Sequence, residues 1–356
     1  MIFHQIGNGG CQSYLLGCPD KCIAVLIDPS LAHIDRYRGL LAREGLRLRY
    51  VIDTHTHADH FSAARVLKEE FGVPAVMHSA SLAPYADLRL DEGDMLIVGD
   101  IRIQAMHTPG HTGDSMCLLA GDRVFTGDTL HVGGTGRTDL PTGDPDALYD
   151  SLFNRLLTLD PDVMVFPGHD YSGRKSSTIG REIAENPRLQ RRERSAFIQM
   201  MDRLNLSAPD HMTEALRTNM GGGKTVDQLL AEAAAKVPFM SLAELRIRLA
   251  ERRNDFIVLD VRERASYDRA HIPGARNLPR GQLELRVNHD LPDPTLRIVT
   301  VCEYGKVSTL AAATLRELGF RRATALDGGM RAWRELDYPV EEGGSVPWVG
   351  ELSPEI

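Results

Sequence analysis

Leu48-Arg49-Tyr50-Val51-Ile52-Asp53-Thr54-His55-Thr56-His57-Ala58-Asp59-His60 is the stretch that decides how this chain is read. Its first part, Leu48 to Asp53, is an apolar run of strand length. Its second part packs three histidines and one aspartate into six residues at the point where the strand ends. Imidazoles and carboxylates at this density, on a loop between a strand and a helix, can converge on one point, as a metal ion requires. The helix is expected over Ala58–Phe71.

Further donors stand at later strand ends. His111 lies in Thr108-Pro109-Gly110-His111-Thr112-Gly113-Asp114, Asp128 in Phe125-Thr126-Gly127-Asp128, and His169 in Phe166-Pro167-Gly168-His169-Asp170-Tyr171. Each follows an apolar strand and sits in a turn containing glycine, which lets the backbone turn sharply enough for the side chain to enter a shared cleft. Strands are expected at Ile23–Asp28, Leu48–Asp53, Ala75–Met77, Leu96–Val98, Ile101–Met106, Met116–Leu119, Val124–Phe125 and Val163–Phe166. A helix is expected over Leu31–Gly45. Strands with intervening helices predict a layered α/β sandwich.

The order HxHxDH, then His, Asp and His, resembles the metallo-β-lactamase superfamily, whose fold is an αββα sandwich. Asn8-Gly9-Gly10-Cys11-Gln12-Ser13-Tyr14-Leu15-Leu16, Ala24-Val25-Leu26-Ile27-Asp28-Pro29, Gly136-Arg137-Thr138-Asp139, Gly168-His169-Asp170-Tyr171 and Asn186-Pro187-Arg188-Leu189 are similar to its persulfide dioxygenase branch. The resemblance implies one Fe(II) per dioxygenase domain, held by His55, His111 and Asp128. It leaves His57, Asp59, His60 and His169 near the metal, as orienting groups or alternative ligands, with Asp170 orienting a ligand histidine. It implies oxidation of a small persulfide, glutathione serving as the carrier thiol, by O2 to sulfite and thiol. Arg137 and Tyr171 match positions at the glutathione site, and Asn219 is a further polar contact. The bland alternative for Arg137 is an ion pair with Asp139. If all seven donors bound metal, two ions would fit, with Asp128 bridging, and the chain would be a glyoxalase II-like thioester hydrolase.

A second constellation lies near the C-terminal end. The strand Arg297–Val301 leads into Cys302-Glu303-Tyr304-Gly305-Lys306-Val307-Ser308, and a helix is expected over Thr309–Leu318. A cysteine between a parallel strand and a helix N-terminus sits among backbone N–H groups that favour a thiolate or a bound anion. Leu259-Asp260-Val261-Arg262-Glu263, His271-Ile272-Pro273-Gly274-Ala275 and Leu326-Asp327-Gly328-Gly329-Met330-Arg331-Ala332-Trp333 surround it. Together these resemble the rhodanese domain, a small parallel α/β fold. The resemblance implies that Cys302 carries sulfur as a persulfide among thiol, sulfite and thiosulfate. Glu303 and Val307 depart from the basic residues of many such loops. An acid beside the thiolate is expected to oppose ionisation and repel thiosulfate, and a weakened or regulatory module is the alternative. Cys18 and Cys22 are read as incidental thiols, Cys11 and Cys117 as strand residues.

The remaining composition narrows the partners. The chain has 356 residues, 42% apolar and 25% charged, with a formal net charge of −8. Such an acidic chain is a poor general binder of nucleic acid or anionic membrane. No apolar run approaches a membrane span, no leader pattern opens the chain, and five cysteines argue for a reducing compartment. A cytoplasmic protein is therefore expected, and a homodimer because dimers are common among soluble enzymes. Gly221-Gly222-Gly223 divides a dioxygenase domain, 1–223, from a linker, 224–237, and a rhodanese domain, 238–356. The arginines 188, 191, 192 and 194 are read as a solvated helix face.

Overall fold

Strands buried on both faces explain why the apolar runs of the first domain are continuous rather than alternating. The structure is a computed structural model that describes every residue except 8, 9, 172, 205, 208–211, 252–254, 292 and 345–356. Asn8, Gly9 and the last residues of the rhodanese range therefore lie outside the described residues. Contacts divide the chain into two units, Met1–Gly223 and Lys224–Ile356.

The first unit holds two six-stranded sheets. In the first, Ile2–Ile6, Ser13–Cys18 and Ile23–Ile27 pair antiparallel, and Arg47–Ile52, Ala75–His78 and Leu88–Leu90 continue it in parallel. In the second, Met95–Val98, Ile101–His107, Met116–Ala120 and Arg123–Gly127 run as a meander. Met164–Pro167 joins in parallel to Arg123–Gly127 and is followed by Ser177–Thr178. Alternation of side chains along a strand assigns the layers. Tyr14, Leu16, Val25, Ile27 and Ile52 pack inward against Ile103, Leu118, Phe125 and Phe166. Leu15, Leu26 and Val51 pack outward against Tyr37, Leu40 and Leu67 on the helices Ile34–Arg43 and Ala64–Phe71. On the far side, Val124 and Val165 meet Leu148, Leu152 and Phe197. The unit is thus an αββα sandwich. Between the sheets, the Tyr14 and Phe125 rings lie 4.9 Å apart, a contact of about 0.5–1.5 kcal/mol beyond its area.

The second unit is an all-parallel sheet in the order Phe239–Met240, Ala323–Leu326, Arg297–Val301, Phe256–Asp260, Arg276–Asn277. Leu283–Asp290 and Lys306–Glu317 cover one face; Leu242–Ala250 and Gly329–Glu335 cover the other.

Four local expectations are corrected. The helix expected from Ala58 begins only at Ala64, because Asn219 holds residues 57–62 in a loop, as described below. The helix expected from Thr309 begins at Lys306, directly after left-handed Gly305 at φ 84°. The expected linker contains the helix Val226–Lys236, opened by a Thr225–Gln228 capping box and lying against Lys306–Glu317. Its Ala- and Leu-rich composition is strongly helix-forming, and the glycines mark only its start. The arginines 188–194 do not share one helix face. Arg188 donates to the Thr135 carbonyl at 2.7 Å, and Arg194 pairs with Asp146 and Asp150.

Candidate metal centre and sulfur-carrier loop

Four of the candidates, His55, His111, Asp128 and His169, come from the loops that follow strand ends, and the two sheets bring these four to one place. His55 follows Arg47–Ile52 in the first sheet; His111, Asp128 and His169 follow Ile101–His107, Arg123–Gly127 and Met164–Pro167 in the second. Donor atoms of His55, His111 and Asp128 lie within 4.8 Å of one another, all buried.

Hydrogen bonds set the form of each donor. The Thr54 hydroxyl donates to Asp28 Oδ2 at 2.8 Å, so it accepts from His55 Nδ1, 3.0 Å away. That leaves the lone pair on His55 Nε2, a buried atom without a hydrogen-bond partner. Burial, with His57 beside it, holds the His55 imidazole well below its ordinary pKa. His111 Nδ1 lies 2.8 Å from the Arg137 carbonyl, which can only accept, so Nδ1 carries a proton and Nε2 is the nitrogen left for a metal ion. Both Nε2 atoms face Asp128 Oδ2, at 3.9 Å from His55 and 3.5 Å from His111. Two neutral imidazole nitrogens and one carboxylate oxygen form a set suited to non-haem iron(II), and the orphaned His55 Nε2 shows that the residues fit such an ion.

The other Asp128 oxygen is held from behind. His169 Nδ1 lies 2.7 Å and His131 Nε2 3.2 Å from Oδ1. Burial alone would raise this carboxyl, but the two histidines hold it well below the usual carboxylate range. His169 Nε2 lies 2.8 Å from Asp59 Oδ2. A ring between two carboxylates donates through both nitrogens, and Asp128 overcomes burial to raise the His169 pKa well above its ordinary value. Asp59 also takes Cys11 Sγ at 3.1 Å and His60 Nδ1 at 3.2 Å. Gly168 makes room here, since a Cβ on it would come within 2.7 Å of Asp128 Oδ1.

His57 faces elsewhere. Its Nε2 is 3.3 Å from Asp28 and 3.8 Å from Asp53, in a buried group apart from the three converging donors. Asn219 is corrected: it is 3% exposed, and its amide is fully occupied inside the protein. It donates to the carbonyls of His57 and His60, at 2.9 and 2.8 Å, and accepts from Ser62 N–H at 3.1 Å. It clamps the histidine loop and offers a substrate nothing. Asp170 accepts from the Arg174 backbone at 3.2 Å. Arg137 forks onto Asp139 at 2.6 and 2.7 Å and holds the carbonyls of Leu206 and Ser207. Tyr171 is 76% exposed, its ring parallel to His169 at 5.5 Å. Sequence reasoning missed His131, although it stands three residues after Asp128, and Cys11, which the pairing of His169 with Cys11 carries to Asp59.

In the second unit the candidate sulfur-carrier loop, Cys302 to Ser308, is built locally. Cys302 is buried, and its Sγ accepts from the Ser308 N–H at 3.2 Å. The loop's carbonyls turn the other way, because Met330 and Arg331 at the start of Gly329–Glu335 donate to Cys302 and Glu303 at 2.8 and 3.0 Å. Gly329 must be glycine: φ is 64°, and a Cβ would lie 2.5 Å from the Cys302 carbonyl. Tyr304, Lys306 and Val307 are exposed and Ser308 is buried. Glu303 does not stand as a bare charge beside the thiol, contrary to expectation. Its carboxylate pairs with Arg262 at 3.0 Å and with Arg334.

Comparison with known proteins agrees with both halves. The family profile described as Metallo-beta-lactamase superfamily matches residues 6–169, and the Rhodanese-like domain matches residues 241–336. The mitochondrial persulfide dioxygenases ETHE1 of Mus musculus and Homo sapiens are 38% and 37% identical over 214 residues, covering 59% of this chain and 84% of each relative. The crystal structure of ETHE1 from Myxococcus xanthus is 42% identical with a TM-score of 0.61, covering 63% of this chain and all of that one (100%). A metallo-beta-lactamase from Staphylococcus aureus covers 92% of this chain and 98% of its own at a TM-score of 0.58. At 22% identity it speaks for fold alone. Among the described residues, no helix is long and apolar enough to cross a membrane. With two bare imidazole nitrogens and a carboxylate converging on one point, and more than four-fifths of a relative's length matched, the chain belongs to the persulfide dioxygenase family of the metallo-β-lactamase superfamily and carries a rhodanese-like domain after it.

Proposed function

We propose that the first domain is an iron(II)-dependent dioxygenase for the persulfide of a small thiol, glutathione in the first instance. The second domain moves sulfane sulfur through Cys302 among persulfide, sulfite, thiosulfate and thiol. The observation that carries the first part is the convergence of His55 Nε2, His111 Nε2 and Asp128 Oδ2, with the other Asp128 oxygen held by His169 and His131.

The reaction is R–S–SH + O2 + H2O giving R–SH, sulfite and two protons, with the outer sulfur oxidised by four electrons and O2 reduced. Iron(II) held by His55, His111 and Asp128 would supply O2 activation and a soft site for the persulfide anion. The protein's part is positional. Thr54 and the Arg137 carbonyl keep both imidazoles in the tautomer with Nε2 bare. His169 and His131 keep Asp128 ionised and oriented. Tyr171, exposed over His169, gives the substrate a wall. Arg137 reaches a substrate carboxylate only by releasing Asp139.

A two-metal thioester hydrolase would need a lone pair from His169. Its nitrogens lie 2.8 and 2.7 Å from the carboxylates of Asp59 and Asp128, and it is the likeness to the persulfide dioxygenases that favours the single-ion reading. The test is oxygen uptake by iron-loaded protein given glutathione persulfide, with sulfite quantified. Iron-dependent uptake with equimolar sulfite supports the proposal. Thioester hydrolysis without oxygen uptake overturns it.

A further inference from the structure

The Cys302 loop places an acid directly after its nucleophile, where an incoming oxyanion would call for cations. The structure shows what that acid does. Glu303 Oε2 accepts from Arg262 Nη1 at 3.0 Å, and Oε1 accepts from Arg334 Nη2. Arg262, itself buried, is gripped on its other edge by Asp260. Nε and Nη2 reach the two carboxylate oxygens at 3.0 and 2.7 Å, and Nη2 also donates to the Ala270 carbonyl. Two guanidinium groups thus meet two carboxylates. Arg331 lies over the Tyr304 ring and pairs with Glu335. The loop's own remaining cation, Lys306, points to solvent.

We propose that Glu303 is a specificity-determining residue of the Cys302 site. By holding Arg262 and Arg334 it keeps the approach to the sulfur electrically neutral, so that the site takes sulfur from persulfides of small thiols in preference to thiosulfate. This rests on the sulfur transfer through Cys302 proposed above.

Both donors deliver the same sulfane sulfur without an external oxidant. With a persulfide, the Cys302 thiolate attacks the outer sulfur of R–S–SH. The S–S bond breaks, the electron pair leaves with R–S−, and Cys302 keeps the new S–S bond. With thiosulfate, the thiolate attacks the outer sulfur, the pair leaves with sulfite, and the same Cys302 persulfide results. The two differ in what flanks the reacting sulfur. Thiosulfate brings a dianion whose oxygens are best met by free guanidinium forks. A persulfide brings at most one charge there. With Glu303 in place both guanidinium groups are paired with a carboxylate, which leaves no net positive charge to meet the dianion.

The test uses the full chain and compares kcat/KM for thiosulfate with kcat/KM for 2-mercaptoethanol persulfide. For Glu303→Gln, which keeps the side chain's size and removes its charge, the ratio is expected to rise about tenfold through thiosulfate KM. The gain should shrink at high salt, where exposed charges are screened. Glu303→Asp should restore the wild-type ratio. Arg334→Gln, at a half-exposed position that threatens no core, should lower the ratio instead. A ratio unmoved in both Glu303→Gln and Arg334→Gln overturns this proposal alone. Wild-type protein that transfers sulfur from neither donor, or a Cys302→Ser variant that still transfers it, overturns both this proposal and the transfer reading.

Discussion

The two reactive centres of this chain are assembled in opposite ways. The candidate metal centre gathers three donors, His55, His111 and Asp128, and the supporting His169 from four separate strand ends on two sheets. The proposed sulfur-carrier loop is one contiguous run from Cys302 to Ser308, whose backbone supplies the N–H donor to its own sulfur. A dispersed centre depends on distant residues that hold its pieces in register, such as Asn219, more than 150 positions beyond the loop it clamps. A contiguous centre depends on local backbone geometry, and distant residues act on it mainly through charge. The difference predicts different ways of failing.

The largest effect separates the two centres. His111→Ala removes one of three donors and is expected to lower oxygen uptake at least a thousandfold, the several kcal/mol that a bound metal supplies, with iron content falling in parallel. Sulfur transfer should persist. Cys302→Ser should show the converse. If either variant abolished both activities, the centres would not be independent.

A smaller effect tests how each centre is held. Asn219→Ala leaves the His57 and His60 carbonyls without their partner and should lower iron affinity about 10- to 100-fold, seen by competition with a chelator. Stability should fall by about 1–3 kcal/mol in urea unfolding. Gly329→Ala acts on the other centre through backbone alone. A side chain in the left-handed region, pressed on the Cys302 carbonyl, costs about 1–3 kcal/mol of local strain and should reduce sulfur transfer while leaving iron content unchanged. Loss of iron in Gly329→Ala would break the comparison.

The smallest effect is a pH dependence seated in the first domain. His78 is buried, takes the Ala80 N–H on Nδ1, and stacks on His107 with ring centroids 3.8 Å apart. Burial, and next His107, lower its pKa from the ordinary 6.5. Unfolded chain gains a proton near pH 6.5 that folded protein resists, so this contribution is complete above that pH and is lost as pH falls below it. The urea midpoint should be lower at pH 5.5 than at pH 7.5, and His78→Gln should reduce the difference. An unchanged difference in the variant would assign the effect to the metal-site histidines instead.

Much of this was legible in the residues themselves. His55, His111 and Asp128 were identifiable because each follows an apolar strand and a turn, and both signals are local. Cys302 stood out as a candidate because its loop is one contiguous heptapeptide set among recognisable flanking motifs. Asn219 was misjudged because a polar residue in a helix looks the same whether it faces a ligand or a loop 160 positions earlier. Arg137 carried its ion-pair partner two residues away, and the structure shows that pair formed.

The sequence by itself determined a layered α/β unit, which the family resemblance made αββα, the parallel unit after it, and most of the groups able to do chemistry. Periodicity states which face of a strand is apolar, and spacing states what stands at its end. The tertiary structure alone decided what each group is. It turned the Nε2 atoms of His55 and His111 toward Asp128 through Thr54 and the Arg137 carbonyl, set His169 between Asp59 and Asp128, and brought in His131. It also neutralised Glu303 through Arg262 and Arg334. Protonation and charge are set by neighbours within a few ångströms, and a folded chain draws those neighbours from positions that its local sequence does not name.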